Sequence, residues 1–276
     1  MFYQGWLNYT RSAYLGILSS PQADTVQVKR FRSACDKIAE SIERHHTPFL
    51  FSYHGGCWPA DNVVALASLA AHDELFEPTF ATTRKAWLER IQEKLDTNGL
   101  VPHSVDQTYG NALQQARGSS QSLMLAFWPQ IDAAFGERQY AIFKQKFQDT
   151  RFGLPGIREY VKNNNGFGDI DSGPVILGIG GAASIVGMGS SAQYGDVVLH
   201  VGLRNSIEGF AASFCWWGKK RYLGGVLPMA DAFIAWSHSR VPLELMKIAA
   251  FPKWKFQLIN GTIIAFLVLI IIRTWP

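Results

Sequence analysis

The sequence has few cysteines, few charges and no block of like charge. Only three cysteines occur among 276 residues, without a CxxC pair, so neither a disulfide framework nor a zinc knuckle is indicated, and a reducing compartment is the simpler expectation. Charged residues make up 17% of the chain, and the net charge is +4. Because nucleic-acid binding needs concentrated basic surface, no nucleic-acid partner is predicted.

A secretory signal is also lacking at the start of the chain. Met1 is followed by Phe-Tyr-Gln-Gly-Trp rather than by a basic segment and an apolar run, so we expect the mature protein to begin near residue 1. Apolar residues make up 47% of the chain and aromatic residues 13%. This composition excludes bulk disorder, and the length allows one large domain or two small ones with a sizeable core.

One long apolar segment is present near the C-terminal end. Residues 258–272 contain no charge, and extension to 256–275 gives the roughly 20 residues that a bilayer core requires. Trp254 and Trp275 would then lie at the two interfaces. The sequence therefore predicts a single membrane-spanning helix, with a buried terminal helix as the alternative.

Basic residues flank this segment unevenly. Lys247, Lys253 and Lys255 precede it, whereas Arg273 alone follows it. Since positive charge is enriched on the cytoplasmic side of membrane helices, residues 1–250 are predicted to be cytoplasmic.

A second uncharged stretch lies between Asp171 and Asp196. It is rich in Gly, Ala and Ser, and small residues suit tight helix packing inside a protein as well as inside lipid. We expect a buried helix here rather than a second span.

Apolar helices are predicted at a regular interval. Their starts fall at residues 4, 59, 119, 173 and 228, and Pro, Ser or Asp marks the last four. The spacing is about 55 residues. Amphipathic helices are predicted between them at 26–43, 80–95, 135–147 and 197–210. Such alternation is typical of stacked helical hairpins.

The expected fold class is all-α, an (α/α)6-type helical toroid in which about five hairpins are visible. The apolar helices would form an inner ring, and their N-terminal ends would converge on one site. A solenoid or an up-down bundle is the alternative. The predicted organisation is a helical toroid domain over 1–250 and a transmembrane helix over 256–275.

Five loop segments carry residues whose side chains could take part in catalysis or binding. They precede or begin the inner helices, and loops on a rigid scaffold are where functional residues collect. The segments are 53–62, 99–106, 116–120, 153–160 and 168–174.

Four residues in these segments are candidate catalytic groups: Asp61, Asp171, Glu159 and His103. Each also has a structural interpretation. The two aspartates suit helix first turns, Glu159 could pair with Arg158, and His103 could be a loop hydrogen bonder. Several acids around one apolar cavity would instead shift each other's pKa values and supply an acid and a base.

Other residues are candidates for holding a substrate. Cys57 is expected to be a packed thiol rather than a nucleophile, although His54 is close in sequence. The predicted substrate-binding residues are Trp6, Tyr53, Trp58, Arg117 and Asp231.

No metal and no cofactor is predicted. Asp169 and Asp171 are too few oxygen ligands to indicate a cation site. Residues 178–183 fit G-x-G-x-x-A, but a dinucleotide site needs a surrounding βαβ unit, which the helical period does not provide.

Several sequence blocks resemble the linalool dehydratase-isomerase family. The blocks are residues 5–8, 87–96, 131–140, 143–147 and 158–159. The resemblance implies an (α/α)6 barrel that removes water from, or rearranges, apolar allylic alcohols. It fades near residue 244.

The sequence departs from this family at the catalytic positions. The family's catalytic histidine falls at Trp6, and its two catalytic cysteines fall near Phe51 and Ala60. None of these three side chains can act as an acid or a base. The family's N-terminal portion, with an active-site aspartate, would precede Met1. The family has six hairpins, so the ring is closed by other means or the chain is incomplete. We therefore infer a relative with different chemistry.

The leading functional hypothesis is a membrane-tethered acid/base lyase or isomerase for a small apolar, terpenoid-like alcohol or alkene. A carbohydrate-active toroid using paired carboxylates is the second hypothesis. A non-catalytic binding or scaffold protein is the third. The expected partners are a small apolar molecule or sugar and the membrane, and homo-oligomerisation is left open.

Overall fold

The protein is mostly helical. A computed structural model describes residues 1–18, 20, 22, 24–170, 172–247 and 253–274. It is 60% helical and 10% strand, which agrees with the expected helical class. The candidate catalytic residue Asp171 and the predicted interfacial Trp275 lie outside the described residues.

The helices follow the expected alternation of apolar and amphipathic segments. Their bounds are α1 Phe2–Gly16, α2 Thr25–Arg44, α3 Pro59–Leu75, α4 Ala81–Gln92, α5 Gly118–Leu125, α6 Trp128–Ile131, α7 Ala133–Phe147, α8 Gly181–Gln193, α9 Val197–Phe210, α10 Pro228–Ser239, α11 Leu243–Met246 and α12 Lys253–Thr274.

Four short antiparallel hairpins connect the helices. They pair β1 Ser104–Val105 with β2 Ala112–Gln114, β3 Gln148–Arg151 with β4 Leu154–Ile157, β5 Val175–Ile176 with β6 Ile179–Gly180, and β7 Phe214–Trp216 with β8 Lys219–Arg221.

The helix expected from residue 173 begins later, so that prediction was wrong. Leu177 and Gly178 adopt φ values of 51° and 82°, which form the turn of the β5–β6 hairpin, and α8 starts only at Gly181. The G-x-G-x-x-A run is thus a hairpin followed by a helix. Its strands are antiparallel, which is not the βαβ geometry of a dinucleotide site. The uncharged stretch forms a buried helix, as expected.

Three of the four amphipathic helices, called outer after the predicted ring, begin differently from the apolar helices, called inner. Asp24, Asp132 and Asp196 cap the outer helices α2, α7 and α9, each accepting a hydrogen bond from a first-turn backbone N–H. The inner helices α3, α5, α8 and α10 have no side-chain cap at their N-cap residues. The expected side-chain capping of the inner helices is therefore not found, and their ends depend on other contacts.

Small residues bring the inner helices close together. A Cβ on Gly5 of α1 would lie 3.1 Å from the Ala65 nitrogen of α3. Between α5 and α8, Ser122 Oγ donates to the Ala183 carbonyl at 2.9 Å. Between α8 and α10, Ser237 Oγ donates to the Ile185 carbonyl at 2.7 Å.

An aromatic cluster joins the first inner helix to the last. The rings of Trp6 in α1 and Trp236 in α10 are 6.4 Å apart, and both contact Phe127, at 5.8 and 6.1 Å. The Arg240 guanidinium lies over Phe127 and Trp236. Trp6, predicted to bind substrate, is therefore part of this cluster.

Helix α12 is long and apolar enough to span a membrane. The most apolar 18 residues within Trp254–Thr274 have a mean hydropathy of 2.1, and none of these residues is buried. The helix meets the rest of the protein at the end of α9, where Phe256 packs on Phe210 at 5.2 Å. The alternative of a buried terminal helix does not agree with this exposure.

Candidate functional site

Arg117, at the N-cap of α5, is the centre of a buried polar cluster. Its Nε donates to Glu159 Oε1 at 2.8 Å, Nη1 donates to Asp169, and Nη2 donates to Ser172 Oγ at 2.9 Å. Arg117 is 5% exposed, and its guanidinium lies over the Tyr160 ring. Burial alone would lower the pKa of Arg117, but the two carboxylates raise it above its usual value.

Glu159 is fully buried between the start of α5 and the segment before α8. It accepts hydrogen bonds from Ser119 Oγ at 2.6 Å and from the Ser119 backbone nitrogen at 3.2 Å. A Cβ on Gly180 would lie 2.8 Å from Glu159 Oε2, so glycine is required there. Burial raises the pKa of the Glu159 carboxyl, although Ser119 and Arg117 act in the opposite direction.

Asp169 covers the outer side of the Arg117 guanidinium. Its side chain is 47% exposed, and it accepts from the backbone nitrogen and hydroxyl of Ser172, each at 2.8 Å. Partial burial would raise its pKa, but the hydrogen bonds from Ser172 and Arg117 lower the pKa of Asp169 to about 2. Asp169 is therefore a carboxylate at neutral pH.

His103 is held against the first turn of α5. Its Nδ1 lies 2.5 Å from Ser120 Oγ, and its backbone nitrogen donates to the Gln114 carbonyl across the β1–β2 hairpin. Burial, with the nearby positive charge of Arg117, lowers the pKa of His103 to about 4. The imidazole is consequently neutral at pH 7 and able to accept a proton.

Contacts link the five loop segments that carry the candidate residues into one continuous row. Val105 donates its backbone N–H to the Cys57 carbonyl, and His103 contacts Ser120. The Gly118 nitrogen donates to the Glu159 carbonyl at 2.8 Å, and Arg117 then reaches the segment that holds Asp169. The structure therefore brings together loops that are distant in sequence, as the sequence analysis expected.

Asp61 lies at one end of this row. It is buried in the first turn of α3. Burial lowers the pKa of the neighbouring Met1 amino group, and the negative charge of Asp61 acts in the opposite direction. Burial, reinforced by Asp61, raises the pKa of Cys57 to about 12, and its Sγ donates to the Leu50 carbonyl. Cys57 is thus a packed thiol, as predicted.

Tyr53 and Trp58 form a stacked pair beside the start of α3. Their ring centroids are 4.9 Å apart, and Tyr53 is 51% exposed. The pair therefore lies at the surface rather than around a closed hollow.

Asp231 makes its contacts at a different place. It accepts from Arg221 Nη1 at 3.1 Å and from the Tyr222 backbone nitrogen at 3.0 Å. These residues belong to the β7–β8 hairpin and the chain just after it. Asp231 thus braces this hairpin, and Trp6 belongs to the aromatic cluster, so neither contacts Arg117 in the described contacts.

Four residues of the cluster were not selected from the sequence: Ser119, Ser120, Asp169 and Ser172. Serines in the first turn of a helix usually cap backbone N–H groups, so the sequence did not indicate that Ser119 contacts Glu159 or that Ser120 contacts His103. Asp169 had been considered only as a cation ligand.

Two surface clefts of about 450 and 550 Å³ lie away from this cluster, the first along α1 and α2 and the second on the β7–β8 hairpin.

Comparison with known proteins adds no family. No family model matches this chain, and no curated protein matches it. The resemblance to linalool dehydratase-isomerase is therefore a hypothesis based on its sequence blocks alone.

Proposed function

We propose that the protein is a membrane-tethered helical enzyme that eliminates water from, rearranges or hydrates a small, largely apolar molecule by acid/base catalysis. The observation that carries the proposal is a buried carboxyl and a neutral imidazole held on adjacent serines, Glu159 on Ser119 and His103 on Ser120. Acid/base chemistry requires two such groups with pKa values set by their surroundings. The resemblance to linalool dehydratase-isomerase favours the same reaction class.

The two groups take complementary roles in the proposed elimination. In its protonated form, which the raised pKa of Glu159 makes more accessible, Glu159 donates its proton to the leaving hydroxyl, the C–O bond breaks, and water departs. Neutral His103 then accepts the proton from the adjacent carbon as the double bond forms, and solvent returns that proton to Glu159. The reverse sequence hydrates the alkene. Asp61 borders the site and stays a candidate, and Asp171 lies outside the described residues.

Substrate access depends on the segment that covers Arg117. Glu159 is fully buried, whereas the Asp169 side chain that pairs with the same guanidinium is half exposed. We infer that opening of the contact between Asp169 and Arg117 admits the substrate.

We further propose that the inner helices form a ring. The contacts of α1 with α3, α5 with α8 and α8 with α10 support this arrangement. The approach of Trp6 to Trp236 would close the ring between α1 and α10. In this arrangement the row of loops lies along the N-terminal ends of α1, α3, α5 and α8.

The proposed orientation places the helical domain in the cytoplasm. Lys247 precedes α12 and Lys253 and Lys255 lie in its first turn, whereas Arg273 alone lies in its last turn. Positive residues favour the cytoplasmic side. Labelling of the exposed thiol of Cys215 by a membrane-impermeant maleimide in intact cells tests this. Labelling only after lysis is expected, and labelling of intact cells would contradict the orientation.

The proposed reaction is tested with the full chain in proteoliposomes. Linalool and geraniol are the terpenoid probes, and maltose and cellobiose are the sugar probes, with products separated by chromatography. We expect turnover of a terpenoid alcohol, and we expect His103→Gln and Glu159→Gln each to lower kcat by about 10²–10⁴-fold.

Asp231→Asn is the matched control, because Asp231 makes its ion pair at the β7–β8 hairpin. It should leave turnover within the experimental error of the parent. Thermal unfolding checks that each variant is folded. Unchanged turnover in a folded His103→Gln variant would disprove the assignment, and turnover of a sugar alone would favour the carbohydrate hypothesis.

A non-catalytic binding protein is the second candidate. The observation favouring it is that Arg117 contacts both Glu159 and Asp169, so that much of the local charge is already paired. This candidate predicts that a probe raises the thermal midpoint of unfolding without being converted.

A further inference from the structure

Two hairpin turns present large aromatic side chains to solvent. Trp217, in the turn between β7 and β8, is 89% exposed, and its neighbour Trp216 is 67% exposed. Phe152, in the turn between β3 and β4, is 74% exposed. Two adjacent exposed tryptophans are unusual on a soluble surface, and exposed apolar patches mark contact with a protein or a membrane.

Both turns hold their aromatic residue in an unfavourable backbone conformation. Trp217 and Gly218 have φ values of 50° and 72°, and Phe152 and Gly153 have values of 53° and 78°. Two-residue hairpin turns of this kind prefer Asn-Gly or Gly-Gly, because other side chains are strained at positive φ. The aromatic residues are therefore not explained by the needs of the turns.

The β3–β4 turn and the base of the β7–β8 hairpin lie at the end of α9, close to the point where α12 leaves the helical domain. The Phe152 ring is 6.3 Å from Phe210, at the end of α9, and Phe210 is 5.2 Å from Phe256 in the first turns of α12. The β7–β8 hairpin follows α9 directly, and its far end is fixed to that helix because the Leu223 nitrogen donates to the Ala211 carbonyl at 2.8 Å.

We propose that Phe152, Trp216 and Trp217 form a membrane-contact surface that inserts into the interface of the bilayer spanned by α12. Aromatic side chains, and tryptophan above all, favour the headgroup region, where an apolar ring and a polar N–H are both accommodated. Continuity with α12 identifies the partner as lipid. The proposal rests on α12 being inserted, which is part of the proposed function.

We expect this surface to bind lipid through insertion of its apolar rings rather than through electrostatic attraction. Of the three basic residues in β8, Lys220 pairs with Glu208, and Arg221 pairs with Asp231 at 3.1 Å. Lys219 alone adds local positive charge, so we expect insertion into zwitterionic vesicles as well as anionic ones.

The natural thiol of Cys215 provides a probe within the hairpin. Cys215 is exposed, whereas Cys35 and Cys57 are buried, and burial raises the pKa of each of these two thiols to about 12. A thiol-reactive NBD fluorophore should therefore label Cys215 selectively. The labelled full chain is placed in phosphatidylcholine vesicles that carry a nitroxide either near the glycerol or at the end of the acyl chain.

We expect the label to lose fluorescence with the shallow nitroxide and much less with the deep one. The same label on Glu40→Cys in a Cys215→Ser background is the control, because Glu40 is exposed on α2, which packs on α1, α3 and α4. This control should show little quenching by either nitroxide. Replacing both tryptophans, Trp216→Ser and Trp217→Ser, should reduce quenching at Cys215 to the control level.

Equal quenching at Cys215 and at the Glu40 control would overturn the proposal. So would a Cys215 label that is shielded from aqueous iodide but not quenched by lipid nitroxide, because the surface would then be covered by protein. Alkaline carbonate extraction of the same vesicles reports whether α12 is inserted. Failure of the membrane tether and failure of the contact surface therefore give different results.

Discussion

At the residue scale, the site depends on the Arg117 guanidinium, which pairs with both Glu159 and Asp169. Arg117 and Glu159 are almost completely buried, while Asp169 is half exposed. A buried ion pair adds little net stability by itself, but removing one partner leaves an uncompensated buried charge. The three residues therefore form a unit in which Arg117 keeps the carboxyl of Glu159 in place.

Replacement of Arg117 should destabilise the protein strongly. Arg117→Met is expected to lower the free energy of unfolding by about 3–5 kcal/mol, because Glu159 is left buried without its partner. The measurement is chemical unfolding of the full chain in detergent. The double variant Arg117→Met/Glu159→Gln should recover part of the loss.

Arg221→Met is the matched control for Arg117→Met. The ion pair of Arg221 with Asp231 involves an arginine side chain that is 43% exposed, so a cost under about 1 kcal/mol is expected. Equal losses in the two variants would contradict the special position of Arg117.

His103 should make stability depend on pH in the mildly acidic range. Burial and Arg117 lower its folded-state pKa from 6.5 to about 4, so between these values the unfolded chain binds a proton that the folded chain does not. Stability is therefore lost as pH falls from 6.5 to about 4, with a slope approaching 1.4 kcal/mol per pH unit.

The measurement is the difference between the parent and His103→Gln in unfolding free energy against pH. Burial also lowers the pKa values of His200 and His238, and these two contribute equally to both proteins, so the difference isolates His103. A difference that is constant from pH 7 to pH 4 would show that His103 titrates normally.

At the element scale, local signals begin most of the helices, and packing between neighbours adjusts the rest. Aspartate caps begin α2, α7 and α9. The inner helices lack such caps and instead approach each other through glycine and serine. Prolines still mark the starts of α3 and α10, whereas the start of α8 is determined by the hairpin that precedes it.

Two glycines of α8 should respond oppositely to alanine. A Cβ on Gly189 would lie 2.7 Å from the Ser237 carbonyl oxygen and 3.0 Å from the Ser237 Cα of α10, and backbone atoms cannot move aside cheaply. Gly189→Ala should therefore cost about 1–3 kcal/mol in unfolding free energy.

Gly181→Ala is the control within the same helix. A Cβ there meets no atom within 4 Å, so alanine should be neutral or stabilise by about 0.4–1 kcal/mol through helix propensity. Both variants are measured by urea unfolding. Destabilisation by Gly181→Ala, or tolerance of Gly189→Ala, would contradict the close packing of α8 on α10.

At the scale of the whole molecule, α12 is the element that the helical domain does not bury. Its large apolar side chains are exposed along its length, which is unfavourable in water and favourable in a bilayer. It contacts the end of α9 through Phe256, and its large apolar side chains from Ile263 to Ile272 are exposed.

A charge in the middle of α12 should weaken membrane attachment. Leu267→Arg is expected to disfavour insertion by about 2.5–3.5 kcal/mol, because an arginine at the helix centre must leave water. The measurement is the fraction of chain resistant to alkaline carbonate extraction. Leu267→Ala should stay resistant, and extraction of the parent chain would contradict the span.

Much of the helical framework could be predicted from the sequence. Helix α9 has the bounds expected from its pattern, and α3 and α10 begin at the prolines that mark their starts. These signals are apolar spacing, first-turn residues and a long uncharged segment. Each involves residues close together in sequence, so it can be recognised without knowing the fold. The failure at residue 173 came from a turn at Leu177 and Gly178, where hairpin pairing overrode the helix signal.

The candidate site could be predicted only as a set of loops. Sequence alone determined that α12 is apolar enough to span a bilayer and that chemically active residues collect before the inner helices. The tertiary structure alone decided that Arg117 meets Glu159 and Asp169, partners 42 and 52 residues away. Burial and ion pairing depend on where the chain returns in space, and that path is fixed by the packing of whole helices.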